Sequence, residues 1–183
     1  MNAGRATLED LCEIEGQAEL IAGKIVCHAA NGWKPGRIAF AIARHLDDYA
    51  ETAGQGEAYT GTIVFAVPRL SSGRESFSPD ASYYRGPFGA NDMRFIEGPP
   101  TFAAEVRSEN DYGPAAEAAM AAKRADYFEA GTLAVWDVDP IAETVRGFRA
   151  DAPDQPIFWK SGDAADAEPA LPGWRLAVND LFA

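Results

Sequence analysis

The chain is short of the residues that soft-metal and disulfide chemistry require. Its 183 residues include two cysteines, Cys12 and Cys27, and two histidines, His28 and His45. Two cysteines do not make a disulfide framework, and neither belongs to a CxxC pair. No cysteine–histidine spacing matches a structural zinc site. Both thiols are expected to be free and buried. Also missing is any apolar run approaching the ~20 residues of a membrane-crossing helix. Met1 to Gly16 is polar and acidic, unlike a secretory leader. These absences predict a soluble chain resident in the cytoplasm. Positive charge is scarce too: 16 Lys and Arg stand against 28 Asp and Glu, a net charge of -12. Phosphate neutralisation drives most non-specific nucleic-acid binding. The acidic balance opposes a nucleic-acid role, though an acidic chain can still bind nucleic acid through a local patch. A bound cation would reduce the negative field there.

What is present fits one globular domain spanning residues 1–183, with 47% apolar residues and no repeat or low-complexity tract. Thr7 is placed to cap a short helix over Leu8 to Ile14. Ala18–Ile21 and Lys24–Cys27, separated by Ala22-Gly23, read as an N-terminal β-hairpin. Ile38, Ala41, Ile42, Leu46 and Tyr49 share one face of a helix expected over Arg37 to Thr52. The β-branched run Thr60 to Val67 predicts a strand, and Arg69 to Ser78 a polar loop. Asp80 follows Pro79 in a short extended stretch. Gly86 to Pro100 reads as a loop and Thr101 to Val106 as a buried strand. Pro114 to Ala130 is an alanine-rich helix stopped by Gly131. Leu133–Val138, Thr144–Phe148 and Ile157–Trp159 follow as strands. Ser161 to Pro169 reads as a mobile acidic loop, with a final strand or turn near Leu176. The fold class is α/β.

Within this frame Glu105 is the conspicuous residue. It interrupts the apolar run Thr-Phe-Ala-Ala-Glu-Val, and a carboxylate there is costly to bury unpaired. It must meet a metal, a cation or solvent. Asp80 precedes it in an extended segment, and Lys123 follows on the helix with Tyr127 one turn later. Glu19 sits in the first hairpin. These residue types suit phosphodiester hydrolysis. Two carboxylates can hold Mg²⁺ or Mn²⁺ through hard oxygens. The ion polarises a phosphate and acidifies water. A lysine orients that water or offsets transition-state charge.

Asp80, then Glu105 about two dozen residues on, then a lysine, resembles the PD-(D/E)xK nuclease superfamily. More narrowly, the ordered pieces Glu19–Val26, Pro79–Ser82, Pro99–Ser108, Lys123 with Tyr127, Ala130-Gly131 and Val135–Pro140 resemble the Uma2 family, also called DUF820, of restriction-endonuclease type. The match runs from about Glu19 to Pro140, with Leu171–Gly173 as a further matching segment; strands and tail occupy 141–183. The resemblance implies a restriction-endonuclease-like mixed central sheet flanked by helices, acting on DNA. It implies Asp80, Glu105 and the Val106 carbonyl as metal ligands. Glu19 would be an outer-shell or second-metal acid, and Lys123 a catalytic lysine supplied from a helix. Two positions depart from the pattern. Arg107 stands where the superfamily's usual lysine would be. It shares a strand face with Glu105 and cannot accept a proton, but it could clamp a phosphate. Pro35 stands where family members carry a histidine.

Each residue also has a plainer reading. Glu19 could pair with Lys24 across the hairpin, Asp80 could open a turn, and Lys123 could be a solvated helix lysine. Tyr127 and Trp136 read as core, and His28 and His45 as structural or boundary residues. Asp137 and Asp139 are explained by a strand exit before Pro140. Three functions follow. The first is a metal-dependent DNA endonuclease, with a homodimer expected of an enzyme that cuts both strands. The second is a nuclease fold that no longer cuts and serves as a binding or assembly module. The third is a hydrolase using Asp80 and Glu105 as an acid–base pair.

Overall fold

In the computed structural model, residues 4–28, 32–89 and 92–183 are described. Helix α1 (Leu8–Cys12) opens at Thr7, whose hydroxyl accepts from the Asp10 N–H while the Asp10 carboxylate accepts from the Thr7 N–H. This reciprocal cap satisfies two amides that the helix itself leaves open. Strands β1 (Ala18–Ile21) and β2 (Lys24–Cys27) pair antiparallel from Ala18↔Cys27 to Ile21↔Lys24. Ala22 and Gly23 turn between them at φ 51° and 73°. Two consecutive positive φ values match the right-handed strand twist. Ala22 is held there by a 2.7 Å bond from its N–H to the Gly73 carbonyl.

Helix α2 (Trp33–Ala53) starts four residues before the expected Arg37, because Pro35 falls in the first turn, where its missing N–H is not needed. It buries Ile38, Ile42, Leu46 and Ala50. The run Thr60 to Val67 is not one strand. It divides into β3 (Glu57–Thr60) and β4 (Phe65–Ala66), with a turn in which the Ile63 N–H bonds the Thr60 carbonyl. β5 (Ser76–Phe77), β6 (Ala81–Tyr84), β7 (Ile96–Glu97) and β8 (Phe102–Val106) follow. Helix α3 (Pro114–Ala130) has the expected bounds and stops at Gly131, φ 110°. β9 (Ala134–Asp139), β10 (Thr144–Arg149), β11 (Ala152–Trp159), β12 (Ala164–Asp166), β13 (Arg175–Ala177) and α4 (Asn179–Phe182) complete the chain.

The central sheet is mixed, in the order β11-β10-β9-β8-β6-β3. Among the described strands of this sheet, only β8 and β9 run parallel, joined through α3. A parallel pair needs such a crossover. Smaller sheets pair β4 with β5 and β7, and β12 with β13. The strand period of two sorts β8 between two cores. Phe102, Ala104 and Val106 join the α2 side, with Trp136 and Val138. Ala103 lies on the opposite side with Tyr127, Val135, Phe65 and Phe77. Glu105 and Arg107 therefore point towards α3. Ser161 to Pro169 is ordered by pairing, a correction to the expected mobile loop. Asp166 of β12 takes Arg149 at 2.8 Å and Arg175 at 2.7 Å. The thiols of Cys12 and Cys27 are free but exposed, not buried, because α1 and the hairpin lie outside the central sheet. No helix among the described residues is long and apolar enough to cross a membrane.

Candidate functional site

Helix α3 packs on the sheet through the Tyr127 ring and, beside it, through buried charge at Asp126 and Lys123. Lys123, Asp126 and Tyr127 recur at helical spacing on that face. Lys123 and Tyr127 look onto a cleft of about 420 Å³ also lined by Glu19, Asp80, Glu105, Val106 and Arg107, while Asp126 pairs with Arg74. The structure thus brings all six expected site residues to one cavity. Buried charge on a helix face that otherwise packs on aromatic core breaks the rule of local consistency, as functional or strained sites do.

Glu19 sits opposite Val26 in the hairpin register, so it does not face Lys24. Its side chain is 1% exposed. It receives Lys123 Nζ at 3.0 Å, the Ser78 N–H at 3.0 Å, His28 Nε2 at 3.4 Å and the Arg74 guanidinium. Burial pushes its pKa up, but Lys123, His28 and Arg74 together outweigh burial. They hold the carboxyl well below the usual carboxylate range. Arg74 also donates to Asp126 at 2.8 Å and lies over the Phe77 ring. Arg74 and His28 are contributors that the sequence did not disclose.

Glu105 is shifted the other way. Burial raises its pKa first, Asp80 and Glu19 raise it further, and Lys123 opposes. Lys123 Nζ at 2.8 Å and the Tyr127 hydroxyl at 2.6 Å both donate to Oε1. Oε2 takes no bond from any described residue. Asp80 uses Oδ2 to accept from the Val106 N–H at 2.8 Å, which ties the start of β6 to the end of β8. Lys123 loses stabilisation by burial but gains more from Glu105 and Glu19, so its pKa is raised and it stays protonated at neutral pH. It acts as a cation, not as a base. Tyr127 is raised well above the phenol range by burial and by Glu105, and stays a donor.

Arg107 lines the same cleft, but its guanidinium is engaged. It grips Asp137 at 2.8 and 2.9 Å, and also bonds Glu117. Arg146 reaches Asp137 at 2.6 Å and Glu117 at 3.3 Å. Trp136 is core, with Nε1 donating to the Asp166 carbonyl. Asp139 accepts from the N–H groups of Ile141 and Ala142, as a strand exit should.

Among the described residues, no three His, Cys, Asp or Glu side chains form a ready metal cage. Magnesium does not need one, because it keeps several waters and takes one or two carboxylates. Asp80 and Glu105 are the pair that could hold it. Three carboxylates that line the cleft here, Glu19, Asp80 and Glu105, outnumber the two cations Arg74 and Lys123. Hard oxygen donors in excess suit a divalent cation.

A family model, Uma2, described as "Putative restriction endonuclease", matches residues 5–179. No curated protein matches the chain. Among solved structures, "a putative nuclease belonging to DUF820" from Anabaena variabilis ATCC 29413 superposes with a TM-score of 0.73. The superposition covers 96% of this chain and 97% of that one, at 18% identity. At that identity the likeness shows a shared fold.

Proposed function

The chain belongs to the Uma2 family, and on that premise we propose that it is a magnesium- or manganese-dependent endonuclease that hydrolyses DNA phosphodiester bonds. The observation that carries the reading is the pairing of Glu19 and Glu105 with one protonated lysine in a single cleft that Asp80 also lines. Asp80 and Glu105, with the Val106 carbonyl, would hold the ion, whose chemistry when bound is to polarise a phosphate and acidify water. The protein's own groups do the rest. Lys123 offsets charge that builds on the phosphate oxygens in the transition state. Tyr127 and Lys123 fix Oε1 of Glu105 and leave Oε2 to face the cleft. Glu19 holds Lys123 in place, and Arg74 holds Glu19. Arg107 would reach a phosphate only by leaving Asp137 and Glu117. Breaking such a buried pair costs about 3–5 kcal/mol, so its first role is to brace the cleft wall.

The test is incubation with supercoiled plasmid and Mg²⁺ or Mn²⁺, with Asp80→Ala and Glu105→Ala as controls. Nicking by the wild type that is lost in both variants is expected. Nicking retained in both would remove these residues from the chemistry. Binding of DNA without cutting would leave the silent binding module as the function. An enzyme that cuts both strands is expected to pair, and a gel-filtration mass of one chain with DNA bound would contradict the homodimer.

A further inference from the structure

A guanidinium has five N–H donors, and leaving them unused away from water is costly. Arg124, the residue after Lys123 on α3, does this. Its side chain is 15% exposed. It donates no hydrogen bond to any described residue, and its Nη1 is fully enclosed without a partner. Its guanidinium carbon lies 4.0 Å from the centre of the Phe148 ring. The Asp137 carboxylate is 3.6 Å away, outside hydrogen-bond range, and is already taken by Arg107 and Arg146. Three guanidiniums thus share two carboxylates, Asp137 and Glu117, at this end of the cleft. Arg124 is the one of the three with no hydrogen bond to a described residue to lose.

We propose that Arg124 forms a phosphate subsite, which takes a backbone phosphate of the nucleic acid neighbouring the one that faces Glu105 and Lys123. The inference rests on the nuclease reading above. Both ends line one cavity, so a strand laid along it passes from the carboxylates to Arg124. Stacking on Phe148 fixes the plane of the guanidinium, and because Nη1 is enclosed and turned to Asp137, the grip on two phosphate oxygens falls to its remaining N–H donors. Burial away from water lowers the guanidinium pKa, opposed by Asp137 and Glu117. An anion would relieve that stress.

The experiment measures duplex-oligonucleotide binding by fluorescence anisotropy across a salt series, in a Glu105→Gln background that prevents cutting. Adding Arg124→Gln should weaken binding roughly tenfold and flatten the slope of log K against log salt by about 0.9. Arg124→Lys should keep the slope and lose part of the affinity. Unchanged affinity and slope in Arg124→Gln would overturn the subsite while leaving the nuclease reading intact. No DNA binding by the background protein would overturn both. If Arg124→Gln fails to fold, Arg124→Lys decides, since full affinity would overturn a two-oxygen grip. Inorganic phosphate serves as the competing probe. If it raises the Tm of the background protein but not of Arg124→Gln, and DNA affinity is unmoved by the substitution, the site belongs to free phosphate and the nucleic-acid assignment falls.

Discussion

At the hairpin end of the cleft, Glu19 and Glu105 pair with Lys123, Glu19 also pairs with Arg74, and Asp80 lines the same wall. At the β9–β10 end, Arg107, Arg124 and Arg146 surround Glu117 and Asp137. One end has carboxylates in excess, the other guanidiniums. Buried charge demands near balance, so each end is incomplete in the opposite sense. The first is suited to a cation and the second to an anion, and a metal-bound phosphodiester strand brings both. The division also meets the objection raised by the overall charge of -12. Arg74, Arg107, Lys123 and Arg124, four of the 16 basic residues, line the cleft, so a local patch of positive charge lies where a phosphate would sit.

Four substitutions would break or sharpen this contrast. The largest effect is expected from Glu19→Ala, which strands Arg74 and Lys123. It should destabilise by about 3–5 kcal/mol, measured by urea unfolding at pH 7. Because the Glu19 pKa is lowered on folding, its contribution is complete above the ordinary value of 4.5 and is lost as pH falls through the lower, folded-state value. The gap between wild type and Glu19→Ala should therefore narrow in acid; a gap that widens would contradict the ion-pair role. Next is Glu105→Gln, expected to slow nicking about 10²–10³-fold. Here the sign reverses. A pKa raised on folding means the ionised carboxylate costs stability at neutral pH, and the cost vanishes as pH drops below the ordinary value. Glu105→Gln should thus lose activity without losing Tm at pH 7. Arg107→Lys gives up a two-pronged grip on Asp137 and should cost about 2 kcal/mol of stability; calorimetric melting will show it. Arg124→Gln should be smallest, within about 1 kcal/mol, because Arg124 donates no hydrogen bond to any described residue and keeps only a loose ion pair and a ring contact.

Local signals in the sequence were sufficient for the hairpin, the Thr7 cap and α3, whose Pro114 and Gly131 bound it on either side. Glu105 was legible because an acid inside an apolar strand needs a partner, and its partner proved to be Lys123. Arg74 was hidden in what read as a polar loop. Its burial depends on β5 and the hairpin meeting from some 55 residues apart, which no local pattern encodes. The run Thr60 to Val67 carried the right propensity, but a turn at Thr60–Ile63 sends its two halves into different sheets. Tertiary pairing overrode propensity there. Arg107 illustrates a further limit. Its shared face with Glu105 was correct, yet periodicity could not reveal that Asp137, on the neighbouring strand, would take its fork.

The most direct measurement is a calorimetric titration of Mn²⁺ into the wild type, Asp80→Ala and Glu105→Ala at neutral pH. Binding of an ion to the wild type that is lost in both variants, with melting temperatures that show each variant folded, is the predicted result. No binding to the wild type, or the same binding in all three proteins, would contradict a metal-dependent site at the carboxylate end of the cleft.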